Sequence, residues 1–212
     1  MRRAGRVTAA LVAIAAAGVV EWRGVAVSRD DACPEAFALD EARAARVLDT
    51  LAASPSSRSL AARASELEPT LCFGPADISL VRTDRVLLVD RRLPDDEAAA
   101  RVAHLLLHLV DGPPLRVPRS VRDCDAAVAR AMDAEAVALA RELDVRRELG
   151  VTRPVIRYEP EDAFRRAPAP ERATLVREWL RAHPLGGEGV DALRPAYDAR
   201  CRAEAGRATS SR

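Results

Sequence analysis

Ala103-His104-Leu105-Leu106-Leu107-His108-Leu109-Val110-Asp111 is the stretch on which the reading of this chain turns. Two of the three histidines in the chain sit here, four residues apart. On an α-helix, residues at i and i+4 share a face, so the two imidazoles point the same way. Two ring nitrogens offered by one rigid helix are a common way to hold a zinc ion. A helix is predicted, opening at Pro94-Asp95-Asp96-Glu97, where acids complement the dipole and aspartates can cap free amides. Asp111-Gly112-Pro113-Pro114 supplies its stop signal. The polar residues Glu97, Arg101, His104, His108 and Asp111 follow one another at helical spacing and form one stripe, while the other positions from Ala98 to Val110 are Ala, Val or Leu. That stripe is either the wet face of an amphipathic helix or the polar lining of a cleft in a helix packed on its other sides.

The next long helix is predicted from about Val121 to Leu149, ended by Gly150. Glu135 lies within its apolar face, between Ala131 and Met132 on one side and Ala138 and Leu139 on the other. Arg130, Asp133 and Arg141 fall on its solvent side. A carboxylate inside an apolar face needs a partner. Two histidines and one glutamate, with the fourth position left open, make a catalytic zinc set. His104, His108 and Glu135 are therefore the candidate metal ligands. Asp111, about one turn past His108, gives a rival set of His104, His108 and Asp111. Glu135 paired to an arginine, with both histidines exposed, is the metal-free alternative.

The run from about Ile78 to Leu149 resembles a small zinc metallopeptidase of the gluzincin type. The order of parts is similar: a strand-rich piece, a helix with paired histidines, then a helix carrying an acid followed by small residues, here Glu135-Ala136-Val137-Ala138. His104-Leu-Leu-Leu-His108-Leu-Val-Asp111 resembles the His-Glu-Leu-x-His-x-x-Asp form of the family motif. The resemblance implies that His104, His108 and Glu135 ligate zinc and that Asp111 supports the ligand helix or a histidine. It covers about a third of the chain. The departure is Leu105, which stands where the family has its general-base glutamate. In the family that glutamate moves a proton from the zinc-bound water to the leaving amine, a task worth about 10²- to 10⁴-fold. Leucine can do neither half of it, and no catalytic residue is assigned. Glu97 stands two turns, roughly 10 Å, up the axis from His104 and cannot reach the same place.

The remainder sets the frame. The chain has 212 residues and a formal net charge of +1, which argues against a nucleic-acid partner held by a strong overall field. Every basic side chain other than histidine is arginine, a bias we attribute to genome composition. Aromatic residues make up only 3%, so the core must be built from Leu, Val and Ala, and helix is favoured. Arg2, Arg3 and Arg6 precede an apolar run from Val7 to Val20, the pattern of a bacterial export signal or an uncut N-terminal anchor. Residues 1–28 are assigned to it, 29–205 to a single metallopeptidase-like domain, and 206–212 to a disordered tail. Trp22 beside the signal can mark an interface; Trp179, among Leu175, Val176 and Leu180, reads as core.

Cys33, Cys72, Cys124 and Cys201 lack close pairs, and in an exported chain they imply two disulfides. Three connectivities are open, with Cys33–Cys201 and Cys72–Cys124 preferred. Helices are expected over Asp40–Ala53, Ser59–Leu67, Pro170–Ala182 and Val190–Ala205. Leu71-Cys72-Phe73, Ile78–Val81 and Val86–Val89 read as extended, the last two joined by a hairpin turn. His183 reads as a surface residue near a helix end.

The expected fold is α+β and mostly helical: a small antiparallel sheet, a zincin-like two-helix site, and C-terminal helices. The expected function is an exported, periplasmic or secreted, metallopeptidase-like protein without catalysis, binding zinc and a protein or peptide ligand, and meeting a membrane only through an uncut N-terminal segment. The competing readings are a metal-free helical envelope protein of structural or binding role and a weakly active zinc hydrolase with an unusual base.

Overall fold

Among the described residues, the histidine helix packs between the helix that opens the unit and the long helix that follows it. The fold is described from a computed structural model, for residues 33–75, 80–81, 85–182 and 193–210. The expected N-terminal signal, Trp22 and His183 lie outside these residues. The elements run β1 (Ala38–Leu39), α1 (Glu41–Ala53), α2 (Arg58–Leu67), β2 (Thr70–Gly74), β3 (Leu80–Val81), β4 (Val86–Asp90), α3 (Asp95–Asp111), α4 (Cys124–Glu148), α5 (Glu161–Arg166), α6 (Ala169–Ala182) and α7 (Leu193–Ser210). The architecture is α+β and mostly helical, with the small sheet ahead of the long helices.

The sheet is mixed rather than antiparallel. Its order is β1-β2-β4-β3, with β2 and β4 parallel at the centre and antiparallel pairs at either edge. The physical reason is legible in β4. Val86-Leu87-Leu88-Val89 is apolar without alternation, and all five residues of the strand are buried. A strand covered on both faces belongs in the interior of a sheet beside a parallel neighbour. β3, antiparallel to β4, takes the outer edge, with Leu80 in register with Leu88; the expected turn between them lies outside the described residues.

Local chemistry sets the helix ends. The Asp40 side chain accepts from the Arg43 amide at 2.9 Å and caps α1. Gly112, at φ +90°, ends α3, and Gly150, at φ +71°, follows α4. A single 3-10 turn, Val121–Asp123, leads into α4. At the far end α7 continues to Ser210, so residues 206–210, expected in a disordered tail, are helical. Gly206 lowers helix propensity but does not stop the helix.

α3 and α4 divide the core into two apolar clusters. One joins α1, α2, the sheet and the aliphatic side of α3, including Leu105 and Leu106. The other gathers α4, α6 and α7 around Phe164, Val176 and Leu180. Trp179 packs at its margin. Two disulfides fasten the ends of the unit: Cys33–Cys72 and Cys124–Cys201. They replace the preferred pairing of Cys33 with Cys201 and Cys72 with Cys124. The chain before β1 packs on β2, where Cys33 and Phe37 meet Cys72. α7 lies along the start of α4, where Arg202 also pairs with Asp125 at 2.8 Å. Two disulfides fit an oxidising compartment. Among the described residues, no helix is long and apolar enough to cross a membrane.

Candidate metal centre

The polar stripe of α3 faces α4, and the two helices run antiparallel. Arg146 meets Glu97 at 3.1 Å, and Arg101 meets Glu142 at 3.1 Å. His104 meets Glu135 at 3.1 Å, and His108 meets the same Glu135 oxygen at 3.3 Å. Moving down α3 thus moves back along α4, turn by turn. The stripe is neither a wet face nor, for most of its length, a cleft lining: Glu97, Arg101 and His104 are all buried.

Its upper half is a closed charge network. Glu97 accepts from the Val155 and Ile156 amides at 2.6 and 2.8 Å and pairs with Arg146. Arg146 also binds Glu142 at 2.9 Å and the Ile156 carbonyl at 2.7 Å. Tyr158 donates to Glu142 at 3.0 Å. Buried charges persist only with such pairing, and removing one partner typically costs about 3–5 kcal/mol. The network also explains why Val155-Ile156 forms a bend and joins no sheet: its amides are spent on Glu97.

The lower half is different in kind. His104 Nε2, His108 Nε2 and Glu135 Oε2 form a nearly equilateral triangle, with sides of 3.1 Å (His104–Glu135), 3.1 Å (His104–His108) and 3.3 Å (His108–Glu135). An N–H points in one direction, so a proton on either ring cannot serve both other corners well. A shared cation can. Tetrahedral zinc with bonds of about 2.0–2.1 Å sets its ligand atoms roughly 3.3 Å apart, close to each side of this triangle. These three residues are the described group whose ligand atoms converge closely enough to hold a metal ion. Asp111 is not among them. It is exposed at the end of α3, beyond the last turn that faces Glu135.

Each of two corners is also held from behind. Nδ1 of His104 lies 3.3 Å from Glu142 Oε2, a contact without hydrogen-bond alignment, and that oxygen lies nearer the Arg101 guanidinium, at 3.1 Å. Tyr197, arriving on α7, donates its hydroxyl to Oε1 of Glu135 and leaves Oε2 facing the histidines. Partners of this kind fix the tautomer and orientation of metal ligands. Burial and the neighbouring Glu135 carboxylate push the Tyr197 phenol far above its ordinary pKa, so it remains a donor.

The charges follow from the packing. Burial disfavours charge on His104, yet the Glu135 and Glu142 carboxylates outweigh it and raise the pKa above the usual histidine value. Burial pushes Glu135 upward, but His104 and His108 hold it well below the usual carboxylate range. Glu142 is likewise held low against its burial, by Arg101, Arg146 and His104. The network therefore contains four carboxylates, Glu97, Glu135, Glu142 and Glu161, against three guanidiniums, Arg101, Arg146 and, on Glu161, Arg165. One negative charge is left for a histidine proton or a metal ion to balance.

Leu105 is 2% exposed and belongs to the aliphatic cluster with Val47, Leu51 and Leu87. The position that the family resemblance assigns to a general base is thus built into the sheet-side core. Beside the half-buried His108, a cleft of about 390 Å³ opens between the C-terminal end of α3 and the first half of α4, with Asp111 and Arg116 on one wall and Arg130 on the other.

Sequence reasoning placed all three corners of the triangle but missed Glu142 and Tyr197. Glu142 carries a signal, since it stands two turns after Glu135 on the same face of α4. Tyr197 carries none, because its place depends on how α7 folds back. The chain matches no known family model, no curated protein and no solved structure.

Proposed function

We propose that this is an exported zinc-binding protein related to the gluzincin metallopeptidases that does not hydrolyse peptides. The observation that carries the reading is the triangle of His104 Nε2, His108 Nε2 and Glu135 Oε2, whose sides of 3.1, 3.1 and 3.3 Å suit one small divalent cation. Two nitrogens and one oxygen, all borderline or hard donors, favour zinc over calcium or magnesium. Bound there, zinc would supply Lewis acidity beside the cleft that His108 lines. The order of the helices and the second histidine at i+4 support descent from a peptidase, and the two disulfides support export. The buried Leu105 supports loss of hydrolysis, because nothing at that position can carry a proton.

Metal analysis of the purified full chain tests the reading. Protein folded with excess zinc and then gel-filtered should carry close to one zinc per chain. Glu135→Ala and His104→Ala should each lose most of it while remaining folded. Absence of zinc from the unaltered protein would leave a buried hydrogen-bonded cluster and no metal site.

A further inference from the structure

The cleft beside His108 holds two guanidiniums, Arg116 and Arg130, against one carboxylate, Asp111. Arg130 lines this cleft and is exposed, and among the described residues it has no ion-pair or hydrogen-bond partner. The acids nearest to it on α4 are already taken: Asp133 by Arg177 at 3.1 Å and by Arg181 at 3.6 Å, and Asp125 by Arg202 at 2.8 Å. Across the cleft, Arg116 spends one nitrogen on the Asp111 carbonyl at 3.0 Å, which holds the loop after α3 in place. Between the two arginines the α4 side is lined by Ala127, Ala134 and Ala138, side chains too small to fill the space. Val137, 47% exposed, adds an apolar surface at the rim. About 390 Å³ is at the lower end of small-ligand pockets, room for one or two amino-acid residues rather than a long chain.

A hollow lined by alanines, with two guanidiniums outweighing the single Asp111 carboxylate, fits a carboxylate joined to a small apolar group. We infer that this cleft binds the C-terminal end of a peptide, its free α-carboxylate on Arg130, its small apolar side chain over Ala134 and Ala138, and its last carbonyl toward His108. The inference extends the zinc reading, whose ligand His108 also lines this cleft, but the carboxylate subsite itself needs only Arg130 and the alanines. Arg is suited to this task because its planar fork matches a carboxylate with two parallel hydrogen bonds.

The test uses the full chain and two probes, N-acetyl-dialanine as the free acid and as its C-terminal amide. Binding is followed by chemical-shift perturbation and calorimetry, with zinc content measured on the same samples. The free acid should bind at least about 10-fold more tightly than the amide, as expected when a charge-assisted bidentate contact is removed. Arg130→Ala should abolish that preference, and Arg130→Lys should restore only part of it. Equal binding of acid and amide, binding of neither, or a preference that survives Arg130→Ala would each overturn the inference. A protein without zinc that still prefers the acid would overturn the metal reading alone. A zinc-loaded protein with no preference would overturn only the carboxylate site.

Discussion

At His104 two demands meet on one ring. Nε2 faces the shared point of the triangle, and Nδ1 faces Glu142. A ring whose far nitrogen is directed at a carboxylate presents its near lone pair outward, and such outer partners are typically worth 10- to 100-fold in metal affinity. Glu142→Gln should therefore weaken zinc binding by about that factor without changing the one-to-one stoichiometry, as read by competition with a chromophoric chelator. An unchanged affinity would reduce Glu142 to a member of the arginine network. Protons compete at the same place. His104 has a raised folded pKa, so in zinc-free protein its stabilising contribution is complete below the unfolded value of 6.5 and is lost as pH rises through the folded value. Glu135 and Glu142 have lowered folded values, so their contribution is present above the unfolded value of 4.5 and is lost as pH falls through the folded values. Thermal unfolding of zinc-free protein should show Tm falling on the alkaline side. Added zinc, which replaces the proton as the balancing charge, should raise Tm most at that end. A Tm difference between the two forms that does not grow with pH would contradict this.

α3 carries opposite roles on its two sides. Its stripe of Glu97, Arg101, His104 and His108 meets α4, while Leu105 and Leu106 pack into the sheet-side core. This split decides what a glutamate at position 105 would do. Leu105→Glu places a carboxylate among Val47, Leu51 and Leu87, where no partner waits. It should destabilise the protein by at least about 3 kcal/mol in chemical denaturation and generate no peptide hydrolysis. A stable variant with chelator-sensitive turnover would show that this position can still reach the cleft. The same two-sidedness governs how far the elements could be read in advance. Helical spacing at 97, 101, 104 and 108, acids at the N-terminus and Gly-Pro at the end placed α3 within a residue, because all of that information is local. The burial of the stripe was not local. It depends on Arg146 and Glu142 arriving from α4, and an arginine in sequence looks the same whether it meets water or a carboxylate. The parallel pairing of β2 with β4 was half legible: the unbroken apolar run of β4 signals two covered faces, but not which strand lies beside it.

Over the whole molecule, the site is held between two layers fastened at different places. The sheet-side core holds α3 from one side. On the other, α7 packs on α4 and brings Tyr197 to Glu135, and Cys124–Cys201 fixes α7 one turn from that tyrosine. Cysteine spacing could not reveal this pairing, since it follows from α7 folding back onto the start of α4. The Cys124–Cys201 bond closes a loop of sequence separation 77. Replacing both cysteines by serine should cost about 2–5 kcal/mol in denaturant-induced unfolding. Because Tyr197 then loses its tether, zinc affinity should fall in the same variant, and an undiminished affinity would mean that packing alone holds α7. The claim beneath all of this is that two imidazole nitrogens of α3 and one carboxylate oxygen of α4 take hold of a single ion. X-ray absorption at the zinc edge of the full chain reads that shell directly. The account predicts two nitrogen neighbours and at least one oxygen at about 2.0–2.2 Å, with no sulfur, and the loss of an imidazole contribution in His108→Ala. A protein that takes up no zinc, or a shell that keeps both imidazoles in that variant, would contradict it.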